Sequence, residues 1–147
     1  EAIEALNSLI VINNDRIEGY QTAEKETEEL DLKSMFSQFI KTSQKCNHEL
    51  TNEVNLMGGT IATGTTTSGK FFRVWMDVQA ALSGKDRKLI LDSCEFGEEN
   101  ASNTYIEVFE NKSLNLSEEQ LLMINAQLSL LRNDHNHVKG LRDAVKD

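Results

Sequence analysis

The chain has 147 residues, 39% hydrophobic and 27% charged, with a net charge of −9. That length and balance suit one compact soluble domain over residues 1–147 and not a disordered chain. The acidic charge argues against non-specific nucleic-acid binding, which needs a basic footprint, and no apolar run approaches a membrane span.

Proline is absent, and the 8 glycines gather mainly between Gly58 and Gly84. This predicts long uninterrupted helices with one irregular connection. The opening EAIEALNSLI is acidic and amphipathic, unlike a secretory signal, which leaves open a leader removed beforehand. Cys46 and Cys94 fall on or near apolar stripes and read as reduced core residues of a cytoplasmic protein. A redox-active pair is the sharper alternative.

The first helix is predicted over about 2–25, with a seam of Leu6, Ile10, Asn13, Ile17 and Tyr20. Asn13 interrupts an otherwise apolar line. EKETEELD, 24–31, reads as a solvated acidic turn and not as a partner site. Asp31 is the expected N-cap of a second helix over about 32–57. Its stripe is Phe36, Ile40, Ser43, Asn47, Leu50, Val54 and Met57, with Ser43 and Asn47 polar near mid-helix. Gly58–Gly59 is the expected stop.

GGTIATGTTTSGK, 58–70, has no preceding strand and no GKS or GKT context, so it reads as a connection and not a phosphate loop. A short helix over about 70–82 presents Phe71, Val74, Trp75, Val78 and Leu82 as its apolar side. Trp75 is expected to pack on the bundle, with ligand stacking the lesser alternative.

The third long helix, about 86–110, carries Leu91, Cys94, Glu98, Ala101, Tyr105 and Val108 in alternating steps of three and four. That is a face turned to a core. Glu98 lies within it. A buried carboxylate is costly unless it is hydrogen-bonded, paired, protonated or metal-bound. After NKSLNL, the spacing of Ser117 and Gln120 predicts a capping box. The fourth long helix, about 117–145, carries Leu121, Ile124, Leu128, Leu131, His135, Val138, Arg142 and Val145. His135 and Arg142 are its polar intruders.

Short turns would set the first two long helices antiparallel, and likewise the last two. The long connection lets the second and third run the same way. The expected fold is all-α: a ferritin-like up-down-down-up four-helix bundle with a long crossover carrying a short helix between the second and third helices. Counting from the shared ends brings Asn13, Asn47 and Glu98 to one level, with Ser43 and His135 nearby. The expected polar core layer is Asn13, Ser43, Asn47, Glu98, His135 and Arg142. Arg142 needs an acidic partner, for which Asp77 and residues near Glu24 are candidates by level.

The layer reads first as a structural hydrogen-bonded network with no cofactor. The alternative is iron or manganese held by Glu98 and His135 with help from Glu18. Di-iron bundles use a Glu on each of two helices and Glu-x-x-His on the other two. Here Arg132 stands three before His135 and Lys45 three before His48. Asp134-x-x-His137 has the spacing, but its phase turns His137 outward. Glu18, Glu49 and Glu99 lie off the centres of their stripes. Glu98 and His135 as an acid–base pair would lack a visible cleft, and no serine–histidine–acid set is readable. A small-molecule sensor rests only on the polar layer and Trp75.

LNSLIVINNDRIEGY at 6–20, HEL at 48–50, RVWMDVQAALSGKD at 73–86, CEFGEENASNTY at 94–105 and HVKGLRD at 137–143 occur together in this chain. With them it resembles a bacterial family of uncharacterised ferritin-like four-helix bundles, a domain of unknown function. The resemblance implies the crossover topology and a role suspected in stress physiology, and brings no catalytic residues. Ferritin and rubrerythrin patterns need paired Glu-x-x-His, and the DNA-binding mini-ferritins draw on first-helix histidines; both are missing. The expectation is a non-catalytic bundle acting by association with itself or a protein partner. Phe72 and Phe96 are its exposed apolar hint. A metal-dependent oxidase or iron handler is the alternative.

Overall fold

With no proline to break them, the helices run long. They are α1 (Ala2–Glu26), α2 (Leu30–Leu56), α3 (Gly69–Ser83), α4 (Arg87–Glu110) and α5 (Glu118–Asp143). A 3-10 turn, Lys112–Leu114, leads into α5. The computed structural model describes residues 1–67 and 69–145, without the side chains of Lys70 and Phe71. Phe71, expected on the apolar side of α3, therefore lies outside the described residues. Among those described, all regular structure is helical, and the protein is all-α.

Local chemistry sets the boundaries. Ser117 accepts from the Gln120 backbone N–H while the Gln120 side chain accepts from the Ser117 N–H, so the capping box forms. Asp86 caps α4 by accepting from the Leu89 N–H. Asp31 is not the cap of α2; that position is Glu29. Arg87 claims the Asp31 carboxylate at 2.7 Å and also reaches Glu29 at 2.7 Å. The start of α2 is thereby tied to the start of α4. At the other end of α2, Gly58 takes a positive φ of 76°, and the Gly59 N–H bonds back to the Val54 carbonyl. A left-handed residue is the usual way to turn a chain out of a helix.

Side-chain pairings fix the helix directions. Along α1, Asn14 meets Asn47, Arg16 meets Ser43 and Tyr20 stacks on Phe36 of α2. As α1 ascends α2 descends. Likewise Asn13 meets Tyr105 and Tyr20 meets Glu98 on α4. Gln127 of α5 meets Tyr105 of α4 and the Cys46 carbonyl of α2, and Gln120 meets Glu53. So α1 and α5 run one way, and α2 and α4 run the other. The short α3 packs on α4 and touches α1.

The α2–α3 connection is held down by the outer side of α1. Asn7 donates to the Thr60 carbonyl and accepts from the Ala62 N–H. Asn14 donates to the Gly64 carbonyl. Asp15 accepts from both the Thr66 N–H and its hydroxyl, at 2.7 and 2.6 Å. A segment without secondary structure thus finds partners for its backbone. Further on, Gly19 lets α3 close in. A Cβ there would stand 2.3 Å from Trp75 Cε3. The indole also meets Tyr20 edge-on at 5.0 Å, so Trp75 packs on the bundle.

Among the described residues the apolar interior is two clusters. One gathers Tyr20, Phe36, Phe39, Leu91 and Val138 with the inner side of α3. The other gathers Leu6, Leu9, Leu50, Tyr105, Ile124 and Leu131. Polar side chains lie between them.

Candidate functional site

The polar layer centres on Arg16, which is fully buried. It stands three residues after Asn13 and four before Tyr20, on the same inner side of α1. Its guanidinium makes a two-point contact with Glu98: Nε to Oε2 at 2.9 Å and Nη2 to Oε1 at 2.7 Å. Nη2 also reaches Asp134 Oδ2 at 3.0 Å, and Nη1 donates to Ser43 Oγ at 2.6 Å. Tyr20 donates its hydroxyl to Glu98 Oε2 at 2.7 Å. Four helices therefore meet at one cation. The planar fork of arginine suits this role, because it offers several donors in fixed directions.

The electrostatics follow from burial. Desolvation works against the charge on Arg16, but Glu98, Tyr20 and Asp134 together outweigh it and raise the guanidinium further above its ordinary value. Burial raises the Asp134 carboxyl above the usual aspartate value, while Arg16 pulls it back down. Burial and the neighbouring Glu98 push the Tyr20 hydroxyl well up, so it is a neutral donor. One cation thus holds two carboxylates in a region with little water, which makes it the keystone of the layer.

A second, uncharged set of contacts lies beside the first. Asn13 Nδ2 donates to Tyr105 Oη at 2.8 Å. Tyr105 donates to Gln127 Oε1 at 2.7 Å. Gln127 Nε2 passes on to the Cys46 carbonyl and to Glu49. The network runs from the core to the surface pair Lys45–Glu49.

The residues expected in the layer divide into two groups. Asn13, Ser43 and Glu98 are buried in it. Asn47 is only partly buried and bonds to Asn14 on the flank. His135 does not hydrogen-bond to Glu98. Its Nε2 lies 3.7 Å from Glu95 Oε1, and burial lowers its pKa. Arg142 pairs with Glu95 and Asp143, and not with Asp77 or Glu24. Glu95 lies on α4 beside α5, closer than either acid named by level. Arg16, Asp134, Gln127 and Tyr20's hydroxyl complete the layer. The first three escape the seam reading because each sits one position beside a chosen residue.

The metal reading meets this chemistry directly. Both oxygens of Glu98 are engaged by Arg16, and Oε2 by Tyr20 as well. Glu18 is exposed, and His135 faces Glu95. Among the described residues, no three His, Cys, Asp or Glu side chains gather closely enough to hold a metal ion. A guanidinium at the carboxylates repels a second cation. Glu18, Glu98 and His135 do not fit iron or manganese in this arrangement.

The two cysteines are buried free thiols. Burial pushes Cys46 up to about 11 and Cys94 higher still. Both are poor nucleophiles at neutral pH.

The sequence profile described as "Domain of unknown function (DUF2383)" matches residues 1–111. The chain belongs to the DUF2383 family. No curated protein sequence matches it. In this DUF2383 member the matched region spans α1 to α4 and contains Asn13, Arg16, Tyr20, Ser43, Glu98 and Tyr105. Asp134 and Gln127 come from α5, beyond the match. The family's own segment therefore carries the Arg16–Glu98 pair, and α5 supplies the second carboxylate. No helix among the described residues is long and apolar enough to cross a membrane.

Proposed function

We propose that this DUF2383 member is a non-catalytic, ferritin-like bundle of a bacterial cytoplasm that works by association with itself or a protein partner. The opposed helix directions and the long connection bearing α3 support an up-down-down-up bundle with a crossover. The resemblance suggests a setting in stress physiology. The observation that carries the reading is the Arg16 guanidinium on Glu98. A ferritin-like core would use its central carboxylates to hold iron. Here an amino-acid cation holds them, and the layer serves the fold and helix register.

The test is elemental analysis of protein purified without chelator or histidine tag, then anaerobic ferrous iron addition and exposure to oxygen. The expected result is substoichiometric metal and no oxidation above the rate in buffer. Near-stoichiometric iron or manganese, or fast oxidation lost with Glu98→Ala, would overturn the reading in favour of a metal-dependent oxidase or iron handler.

A further inference from the structure

Asp15 is a carboxylate taken out of water without a cation beside it. It is 3% exposed and accepts only from the Thr66 N–H and hydroxyl, both neutral donors. It belongs to no ion pair among the described residues. A buried charge is costly unless it is paired. The charge Asp15 does feel is that of Glu18, one helical turn on, and it has the same sign. Burial first, then Glu18, raise the Asp15 carboxyl above its ordinary value against the pull of Thr66. In the core layer Glu98 and Asp134 have Arg16; Asp15 has no such answer.

The same carboxylate borders a cavity of about 110 Å³ between the outer side of α1, the α2–α3 connection and α3. One water needs only about 15 Å³, so the space admits a molecule of a few non-hydrogen atoms. Asp15, Glu18 and Thr66 form part of its wall, and Gly19, Phe72 and Trp75 another part. Two carboxylates and two aromatic rings around one small space suit an organic cation. The carboxylates accept from its N–H groups, and the rings attract its charge and cover its stem. A hard metal ion suits the wall less well. Calcium asks for about six to eight oxygen ligands and magnesium for a near-ideal octahedron. Among the described residues no third acidic, histidine or cysteine side chain joins this pair.

We propose that this cavity binds a primary alkylammonium group, with Asp15 accepting its hydrogen bonds, the exposed Glu18 adding charge at the rim and Trp75 and Phe72 packing on its stem. A free amine and a lysine side chain both carry that group, and the test separates them. The proposal goes beyond the associative reading and does not depend on it.

Titration of the full chain with n-butylammonium chloride tests it, read by calorimetry and by the emission of Trp75, the sole tryptophan. Sodium chloride keeps the ionic strength constant. Emission should change and saturate with a dissociation constant of about 1 mM. Butan-1-ol, with the same stem and no charge, should bind about tenfold more weakly or worse. Asp15→Asn should weaken ammonium binding about tenfold or more, and Glu18→Gln about twofold to fivefold. Circular dichroism confirms that both variants fold. Glu18→Gln leaves the Asp15–Thr66 contacts in place, so its loss cannot come from a loosened connection. Nα-acetyl-lysine methylamide runs beside butylammonium: tighter binding of the lysine compound assigns the site to a lysine of a partner protein, and otherwise to a free amine. No saturable signal, equal affinity for the alcohol, or binding indifferent to both variants would overturn the site. Each of these leaves the associative reading standing, because that reading is decided by the elemental analysis.

Discussion

Arg16 and Glu98, 82 positions apart in sequence, meet side by side through two hydrogen bonds of 2.7 and 2.9 Å, both side chains fully out of water. An ion pair in this setting is costly to break from one side, because the remaining charge has no solvent to turn to.

The two sides are not equivalent. Arg16→Met leaves Glu98 and Asp134 without their cation and should cost about 3–5 kcal/mol of stability. Glu98→Gln leaves Arg16 still paired with Asp134 and should cost less, about 1–3 kcal/mol. Urea unfolding of both variants gives the comparison. Equal losses would mean that Asp134 does not share the guanidinium.

Asp134 sets a pH dependence. Burial raises its folded pKa above the ordinary 3.8. In the window between 3.8 and that folded value the native state binds more protons than the unfolded chain. Its contribution to stability is therefore largest below 3.8 and is lost as pH rises through the folded pKa. Asp134→Asn removes this contribution. The stability difference, wild type minus variant, should grow as pH falls from neutrality. A difference that stays flat would show that Arg16 cancels the effect of burial.

Gly19 is held small by Trp75. In Gly19→Ala the new Cβ would lie 2.3 Å from the indole, so α3 must move outward. The expected cost is about 1–3 kcal/mol. Trp75 is the chain's sole tryptophan, so its emission should shift to the red. Unchanged emission would place the ring elsewhere in solution.

Asp15 pins the connection through Thr66. Asp15→Ala should speed proteolytic cleavage within residues 60–67. Global stability should move by only about 1 kcal/mol, since the apolar clusters are untouched. Limited proteolysis followed by mass spectrometry locates the cut.

The heptad steps made much of the architecture legible. Leu91, Cys94, Glu98, Ala101, Tyr105 and Val108 are all buried, and the capping box at Ser117 forms as its spacing requires. The layer is half legible. Asn13, Ser43 and Glu98 are buried in it, but Arg16, the cation that answers Glu98, lies one position off the apolar seam. The inner side of each helix is two residues wide, and the one-residue seam kept Ile17 over Arg16, His135 over Asp134 and Leu128 over Gln127. Steps of three and four admit either neighbour. An arginine or aspartate is seldom fully buried unless paired, so apolar periodicity does not point to one. Glu98 itself was the available signal: a buried carboxylate asks for a cation, and Arg16 lies a four-residue step from Tyr20. Asp31 failed as a cap because its carboxylate is shared with Arg87, a contact between residues 56 positions apart that no local rule contains.

The keystone also has a timing. Arg16 must wait for Glu98, 82 positions downstream, and for Asp134, 118 positions downstream. Helical bundles usually reach the native state quickly because their contacts are local. Here the central charges are neutralised only when the two ends of the chain meet, so chain closure precedes the reward for burying them. The layer should act as a late checkpoint that favours all-or-none assembly over a half-built core.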